Sequence, residues 1–268
     1  MDGLIIVRGA GDISTGSIHR LHRAGFPVLA LESARPSAIR RRVAFSEAVY
    51  DGTATVEGVT ARRAADVGEA LHMLGAGQLP LLVDPEGESI GQLRPAAVVD
   101  AILAKRNLGT RIDMAPLTVA LGPGFVAGVD VRFVIETMRG HNLGRIITAG
   151  SAQPNTGVPG LIQGFGAQRV MHAPCAGVFR PLLDIGSAVE AGEAVGRIET
   201  PEGEVPVRSQ IPGILRGVLR DGYRVTQGFK LADVDPRLEE RENCATISDK
   251  ARCIAGSVLE LVCAQARL

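Results

Sequence analysis

The first 32 residues restrict the fold more than any other stretch of the chain. An apolar run at residues 4–7 is typical of a buried parallel strand, and Gly9 and Gly11 follow it. Residues 13–24 have a helical pattern, and a second apolar run at residues 27–31 ends in an acid. The order strand, glycine loop, helix, strand, acid predicts the βαβ half of a Rossmann-like parallel sheet.

The glycine loop itself fits a nucleotide-binding fingerprint only in part. Gly9 and Gly11 match the first two positions of G-x-G-x-x-G, but Ser14 occupies the third, and Asp12 would repel a pyrophosphate above the loop. Glu32 stands 21 residues after Gly11 (32 − 11), where a ribose-binding acid is expected. An anion is favoured at the start of the helix. The alternative is that the glycines serve packing only.

Composition excludes several classes of function. The net charge is zero, which argues against a general nucleic-acid binder. The four cysteines form no C-x-x-C pair and show no metal-ligand spacing, so no metal site is expected. The sequence has neither a signal-peptide pattern nor an apolar stretch long enough to cross a bilayer. We therefore expect a soluble cytoplasmic protein.

Polar and glycine residues that follow the predicted strands supply the candidate ligand contacts, because ligands bind at the carboxyl ends of such strands. The expected cofactor-binding residues are Gly9, Gly11, Asp12, Thr15, Glu32, Arg35, Arg40, Asn107, Gly122, Gly124 and Asn142. The arginines can equally form an exposed charge run, and Gly122-Pro123-Gly124 can be a plain turn. His141, in a polar, glycine-flanked loop, is the candidate acid or base, although a lone histidine is weak support for catalysis.

An internal repeat with a period of 36 residues marks a change of architecture after about residue 172. In each copy the glycines and valines follow a G-x-x-V-x-x-G-x-x-V/L pattern. The matched pairs are Gly177 and Gly213, Arg180 and Arg216, Leu183 and Leu219, Gly186 and Gly222, Val189 and Val225, Gly192 and Gly228, and Val195 and Leu231. Two such halves are expected to pair into one small sandwich.

The remaining elements complete the predicted organisation. Residues 61–74 are predicted to be a helix and residues 117–121 a strand, while Ser248 is a good N-cap for a C-terminal amphipathic helix. We expect a Rossmann-like cofactor domain at residues 1–168, a small all-β domain at 169–237, and at 238–268 a helical tail that packs on the first domain.

Two family resemblances follow from these motifs. The repeat at residues 172–236 resembles the biotinyl/lipoyl barrel-sandwich domain, but the hairpin between its halves, near Glu199 to Glu204, lacks the acceptor lysine. Across nearly the whole chain, several segments resemble the YqeB-type accessory proteins of the selenium-dependent molybdenum hydroxylase system; they are VRGAGDISTGSIHRLHRAGF, IRRRVAFSEAVYDG, AILAKRNLGT, LGPGFVAGVD, ETMRGHNLGR, PNTGVPG and TISDKAR. The N-terminal part is more distantly similar to xanthine dehydrogenase accessory proteins.

The resemblance implies a maturation protein for a molybdenum hydroxylase, with molybdenum cofactor or its dinucleotide form as the ligand of the glycine loop. It implies a client hydroxylase and other maturation proteins as partners, besides possible self-association. Two alternatives stay open: an NAD(P)-dependent oxidoreductase acting on a small metabolite, which Glu32 permits, and a non-catalytic docking scaffold.

Overall fold

The computed structural model describes residues 3–157 and 160–266, which form two compact units. The first unit contains residues 3–36, 44–156 and 247–266, and the second contains residues 37–43 and the described part of 157–246. Each unit is therefore built from separate stretches of the sequence, and the C-terminal helix belongs to the first.

The first unit consists of one large sheet with helices on its faces. Its strands are β1 (Ile5–Arg8), β2 (Val28–Glu32), β3 (Thr53–Val56), β4 (Val59–Ala64), β5 (Leu79–Val83), β6 (Ala97–Asp100), β7 (Leu117–Leu121), β8 (Phe133–Ile135) and β9 (Ile146–Ile147). Its helices are α1 (Asp12–Arg23), α2 (Ala48–Asp51), α3 (Val67–Gly75), α4 (Glu88–Leu93) and α5 (Asp249–Gln265).

The sheet has nine strands in the order β3-β4-β5-β2-β1-β6-β7-β8-β9. From β4 to β8 all neighbours are parallel, whereas β3 and β9 pair antiparallel at the two edges. After β1 the chain continues to β2, which pairs with one edge of β1. Later in the chain, β6 pairs with the other edge of β1. The carboxyl ends of β1 and β6 therefore form a topological switch point, where ligands of such sheets bind.

Local sequence explains most elements of this unit. The strands β1, β2 and β7 are apolar and buried, as expected for strands covered on both faces. Helix α1 ends beside Gly25, whose φ of +89° is the left-handed conformation that glycine adopts without strain. The predicted strand at 117–121 and the Ser248 N-cap are confirmed, since the Ser248 hydroxyl accepts the Ala251 N–H at 3.2 Å.

The predicted helix at 61–74 is wrong in its first part. Residues up to Ala64 form β4, paired with β3 through a two-residue turn at Glu57 and Gly58, both with positive φ. Helix α3 begins only after Asp66, whose carboxylate accepts the Glu69 N–H at 2.8 Å. Cross-strand pairing thus outweighed the helical pattern of the first residues.

The second unit contains the internal repeat. Its strands are β10 (Val170–His172), β11 (Gly177–Pro181), β12 (Ala188–Val189), β13 (Ala194–Thr200), β14 (Gly203–Arg208), β15 (Gly213–Val218), β16 (Tyr223–Val225) and β17 (Lys230–Asp235). They form two four-stranded sheets, β10-β17-β15-β12 and β14-β13-β11-β16, with antiparallel pairing. Each repeat copy gives its middle strand, β12 or β16, to the sheet of the other copy.

The repeated glycines have a packing reason. A Cβ at Gly177 would fall 2.5 Å from the Glu199 carbonyl oxygen, and a Cβ at Gly213 would clash with the Asp235 carbonyl oxygen. Glu199 and Asp235 are themselves 36 residues apart (235 − 199). Both copies therefore require a glycine where one strand crosses closely over the next.

The predicted fold class, a Rossmann-like parallel sheet followed by a biotinyl/lipoyl-like barrel-sandwich, is wrong. The large sheet is mixed, because an antiparallel hairpin forms each edge. No regular helix connects β6 to β7 or β7 to β8 within the described residues, as a second Rossmann half would require. The second unit consists of two distinct antiparallel sheets.

Candidate functional site

The glycine loop after β1 is closed by the protein's own carboxylate. Glu32 accepts the Ala10 N–H at 2.8 Å through one oxygen and the Ser33 N–H at 2.7 Å through the other. The Gly9 N–H donates to the Leu31 carbonyl at 2.7 Å. The amides that a phosphate would need are therefore engaged at Gly9 and Ala10, and Glu32 holds the loop instead of a ribose.

Close packing explains Gly9, Gly122 and Gly124 at this edge, whereas a Cβ at Gly11 would meet nothing within 4 Å. A Cβ at Gly9 would lie 2.8 Å from the Ala101 carbonyl oxygen, and a Cβ at Gly124 would lie 2.6 Å from the Arg106 backbone. A Cβ at Gly122 would lie 2.6 Å from the Thr137 hydroxyl. Gly9 and Gly124 thus leave room for the connection that follows β6. The role of these two glycines is therefore in packing.

A neighbouring segment covers the other side of the loop. The Thr15 hydroxyl donates to the Ala10 carbonyl at 3.2 Å and accepts the Phe45 N–H at 3.0 Å. The Ser46 N–H donates to the same Ala10 carbonyl at 2.8 Å. Thr15 is fully buried, so its hydroxyl joins the loop to residues 45–46 and does not face a ligand.

The other predicted site residues are scattered. Arg35 is exposed, and Arg40 lies in the second unit, where it donates to the Asn243 and Thr246 carbonyls at 3.2 Å. Asn107 caps its own turn through Gly109 and Thr110. Asn142 accepts from Arg145 at 3.1 Å, and His141 is exposed in the turn after β8. Which of these residues bind a ligand stays a prediction.

A charged cluster at the carboxyl edge of the sheet is the strongest candidate site. It surrounds Lys250, in the first turn of α5, which interacts electrostatically with Arg139, Asp12, Glu136 and Asp249. Asp12 begins α1 after β1, and Glu136 follows β8 directly. The cluster therefore gathers one lysine, one arginine and three carboxylates at the edge where α/β sheets bind ligands. We call it the Lys250 cluster.

Close helix packing positions Lys250. A Cβ at Gly16 of α1 would lie 2.9 Å from both the Cβ and the carbonyl oxygen of Ala251, so the two helices touch there. The contact lies one residue from Lys250 and brings the N-terminal halves of α1 and α5 together. Glycine in a helix costs about 1 kcal/mol relative to alanine, and this contact is its physical reason.

The segment after β8 is fastened to α5 as well. Arg139 donates to both carboxylate oxygens of Asp249 at 2.7 Å, and the Cys253 thiol donates to the Leu143 carbonyl at 3.3 Å. Buried Glu136 accepts the Met138 and Gln153 N–H groups at 2.7 and 2.8 Å. These bonds fix Glu136 and Arg139 relative to the lysine.

The surroundings lower the pKa of Lys250. Desolvation is the largest cause and the Arg139 guanidinium the next, and together they outweigh Asp12, Glu136 and Asp249, which favour the charged form. Lys250 is only partly buried. The amine therefore becomes neutral at a lower pH than that of an ordinary lysine.

Sequence reasoning missed Lys250 and Glu136. A weak signal was present: the chain has only three lysines, and Lys250 stands two residues after the N-cap Ser248 in the TISDKAR segment. Glu136 carried no local signal. Its role depends on β8 and α5, which are more than a hundred residues apart in the chain.

A second buried polar network lies beside the switch point. Arg8 donates to the Thr110 hydroxyl at 2.5 Å and lies 3.8 Å from Asp100, and the Thr110 hydroxyl donates to Asp100 at 2.6 Å. Burial raises the pKa of Asp100, against the opposing effects of Thr110, Ile102 and Arg8. The network fastens the connection after β6, although the buried Nε of Arg8 has no hydrogen-bond partner among the described residues.

Fold and site together define an α/β protein with a nine-stranded mixed sheet and a lysine–carboxylate cluster at its carboxyl edge. No family model matches the chain. The chain is 51% identical over 257 residues to the uncharacterized protein YqeB of Escherichia coli strain K12, a match that covers 96% of this chain and 47% of that protein. This similarity supports the assignment of the chain to a YqeB-type family. The chain spans about half the length of the relative it matches.

Solved structures give weaker likenesses. A succinylglutamate desuccinylase/aspartoacylase of Rhodobacter sphaeroides is 16% identical at a TM-score of 0.29, covering 87% of this chain and 85% of that one. An aspartoacylase family protein of Mesorhizobium loti is 13% identical at 0.30, covering 87% and 84%. The ectoine utilization protein EutE of Ruegeria pomeroyi is 10% identical at 0.28, covering 87% and 86%. Scores this low transfer no activity.

The predicted function is therefore corrected. Maturation of a molybdenum hydroxylase through cofactor binding at the glycine loop is wrong, as is an NAD(P)-dependent oxidoreductase, because Glu32 and Leu31 already bond the loop amides. The predicted partners stay predictions. Among residues 3–157 and 160–266, no helix is long and apolar enough to cross a membrane.

Proposed function

We propose that the first unit is a small-molecule enzyme in which Lys250 is a nucleophile towards an aldehyde or a ketone. The observation that carries the proposal is the position of a partly buried lysine among three carboxylates and Arg139 at the carboxyl edge of the sheet, where burial and the arginine lower its pKa. Desolvation and a neighbouring cation are the two means by which enzymes activate a lysine for imine formation.

The chemistry needs a neutral amine and groups that move protons. The Lys250 nitrogen attacks the carbonyl carbon, a C–N bond forms, and the carbonyl oxygen takes up a proton. The nitrogen gives up two protons in all, and the oxygen takes up a second proton and leaves as water when the C–O bond breaks. A neutral imine remains. A carboxylate near the nitrogen can carry these protons, which is the role proposed for Asp12.

The two carboxylates differ in exposure to solvent. Each oxygen of Glu136 accepts a backbone N–H, so this side chain is held in one orientation. Asp12 is the first residue of α1 and is partly exposed. We assign the fixed carboxylate to orient the ammonium, and Asp12 to exchange protons with the substrate and solvent.

Reductive trapping of the imine tests the proposal, and the exposed Lys230 of the same chain serves as the control. The protein is incubated with glyoxylate or acetaldehyde and sodium cyanoborohydride at pH 7, and the modified lysines are quantified by peptide mass spectrometry. Lys250 should be modified about tenfold faster than exposed Lys230 for each unit by which its pKa is lower. Modification of Lys250 no faster than that of Lys230 would contradict the proposal.

Variants separate nucleophilicity from simple exposure. Arg139→Gln removes the neighbouring cation, so the Lys250 pKa should rise and its trapping at pH 7 should slow. Lys250→Arg should abolish the fast modification, whereas Lys230→Arg should leave it unchanged. Circular dichroism of each variant establishes that the fold is retained.

A further inference from the structure

A second cleft in the first unit lies away from the Lys250 cluster. It has a volume of about 890 Å³ and lies along α4, beside the residues that precede β6, β7 and β8. Its position at the amino ends of these strands places it at the opposite edge of the sheet from Lys250. The volume falls within the range of small-molecule sites, about 300–1,000 Å³.

Three arginines line this cleft: Arg94, Arg111 and Arg132. Arg111 is paired with Asp113 at 3.0 Å. Within residues 3–157 and 160–266, the guanidinium groups of Arg94 and Arg132 have no hydrogen bond or ion pair. These two guanidinium groups are planar and can each bind a carboxylate or phosphate group through two parallel hydrogen bonds.

The backbone conformation of Arg94 also favours a ligand-binding role for this residue. Arg94 has φ +46° and ψ +63° at the end of α4, a left-handed conformation for which glycine is the usual residue. An arginine there costs roughly 1 kcal/mol of backbone strain. The compensating feature is the guanidinium that it presents to the cleft.

Geometry allows both arginines to reach one ligand. Arg94 lies three residues before β6 and Arg132 immediately precedes β8, two strands away, and these strands are about 10 Å apart across the sheet. The register places Arg132 level with Val98, four residues beyond Arg94, so the two backbones are farther apart than the strands. The Arg132 N–H is held by the Thr118 hydroxyl at 3.0 Å, which fixes its place beside β7. Both arginines line the same cleft, so a ligand of several atoms can bridge the distance between their side chains.

The rest of the lining sets the character of the ligand. Ile90 and Met114 provide apolar surface. Glu86 also lines the cleft but lies beyond the other end of α4 from Arg94, about 9 Å away for a six-residue helix. The end of the cleft near Arg94 and Arg132 is therefore positive, and its floor is apolar.

We propose that this cleft binds a small organic dianion, with one acid group on Arg94, the other on Arg132, and an apolar body over Ile90 and Met114. The site is independent of Lys250, so either proposal can fail without the other. Its ligand class is a short dicarboxylate.

Calorimetric titration at 0.15 M salt tests this site with succinate, glutarate and adipate. Butyrate and inorganic phosphate serve as comparators. At least one dicarboxylate should bind saturably and more tightly than both comparators. Arg94→Gln and Arg132→Gln should each weaken that binding about tenfold, the size of one charge-assisted hydrogen bond.

Arg62→Gln is the matched control, because Arg62 is an exposed arginine that lines a different cleft. It removes the same charge and should leave the dicarboxylate affinity unchanged. Equal weakening by all three variants, phosphate binding as tight as dicarboxylate binding, or no saturable binding would overturn the proposal. Thermal unfolding of each variant confirms that it is folded.

Discussion

At the scale of single residues, Glu32 has a structural role where its spacing predicts a ligand-binding role. Its spacing from the glycine loop is that of a ribose-binding acid, yet its two oxygens bond the Ala10 and Ser33 N–H groups. The carboxylate therefore engages Ala10, one of the loop amides that an anionic ligand could use. The same chemical preference, an anion near backbone N–H groups, is satisfied within the chain.

Replacing Glu32 should therefore affect stability. Glu32→Ala leaves the Ala10 and Ser33 N–H groups without their acceptors, so the free energy of unfolding should fall by about 2–4 kcal/mol. Glu32→Gln keeps one oxygen acceptor and should cost less. Urea unfolding followed by circular dichroism measures both. Equal stability of Glu32→Ala and the unchanged protein would show that the carboxylate does not hold the loop.

At the scale of elements, the packing of α1 on α5 decides where Lys250 lies. These helices are separated by more than two hundred residues but touch at Gly16 and Ala251. The amphipathic pattern and N-cap of α5 predict that it is a helix with a buried face. They do not identify the helix that it packs against.

A large side chain at Gly16 should separate the two helices. Gly16→Leu should lower the free energy of unfolding by about 2–3 kcal/mol, because the neighbouring atoms include the Ala251 backbone, which cannot move aside cheaply. Hydrogen exchange in residues 249–265 should accelerate. Gly75→Leu is the control, since a Cβ at this last residue of α3 meets nothing within 4 Å. Similar losses in both variants would refute the packing argument.

At the scale of the whole molecule, the two units do not follow the order of the sequence. Residues 37–43 belong to the second unit, where Arg41 donates to the Val218 carbonyl at 2.9 Å. The Val218 N–H donates to the Ile39 carbonyl at 2.9 Å. A division of the sequence into consecutive domains cannot include such a segment, because its contacts are with strands nearly two hundred residues away.

The acid stability of the molecule should depend on carboxylates that accept several bonds. Asp84 accepts the Gly87, Glu88 and Ser89 N–H groups and the Ser89 hydroxyl. Burial opposes the ionised form of Asp84, but these bonds outweigh it and lower its pKa. Because the folded pKa is lower than the unfolded one, the stabilisation is complete at neutral pH and is lost as the pH falls through the folded pKa.

Asp84→Asn should therefore lower the free energy of unfolding by about 1–2 kcal/mol at pH 7. The difference from the unchanged protein should shrink as the pH falls below about 4. Urea unfolding at several pH values measures it, with Asp113→Asn as the control, since that exposed ion pair contributes little. A difference that stays constant down to pH 2 would contradict the assignment.

The sequence by itself determined the local elements: the first strand, glycine turn and helix, the apolar strand at 117–121, the cap of the last helix, and the 36-residue repeat. Their signals lie in side-chain periodicity and capping within a few residues. Only the tertiary structure decided that Glu32 closes the loop, that residues 37–43 join the second unit, and that Lys250 lies among Asp12, Glu136 and Arg139. These outcomes depend on which distant surfaces pack together, and no local pattern encodes that choice.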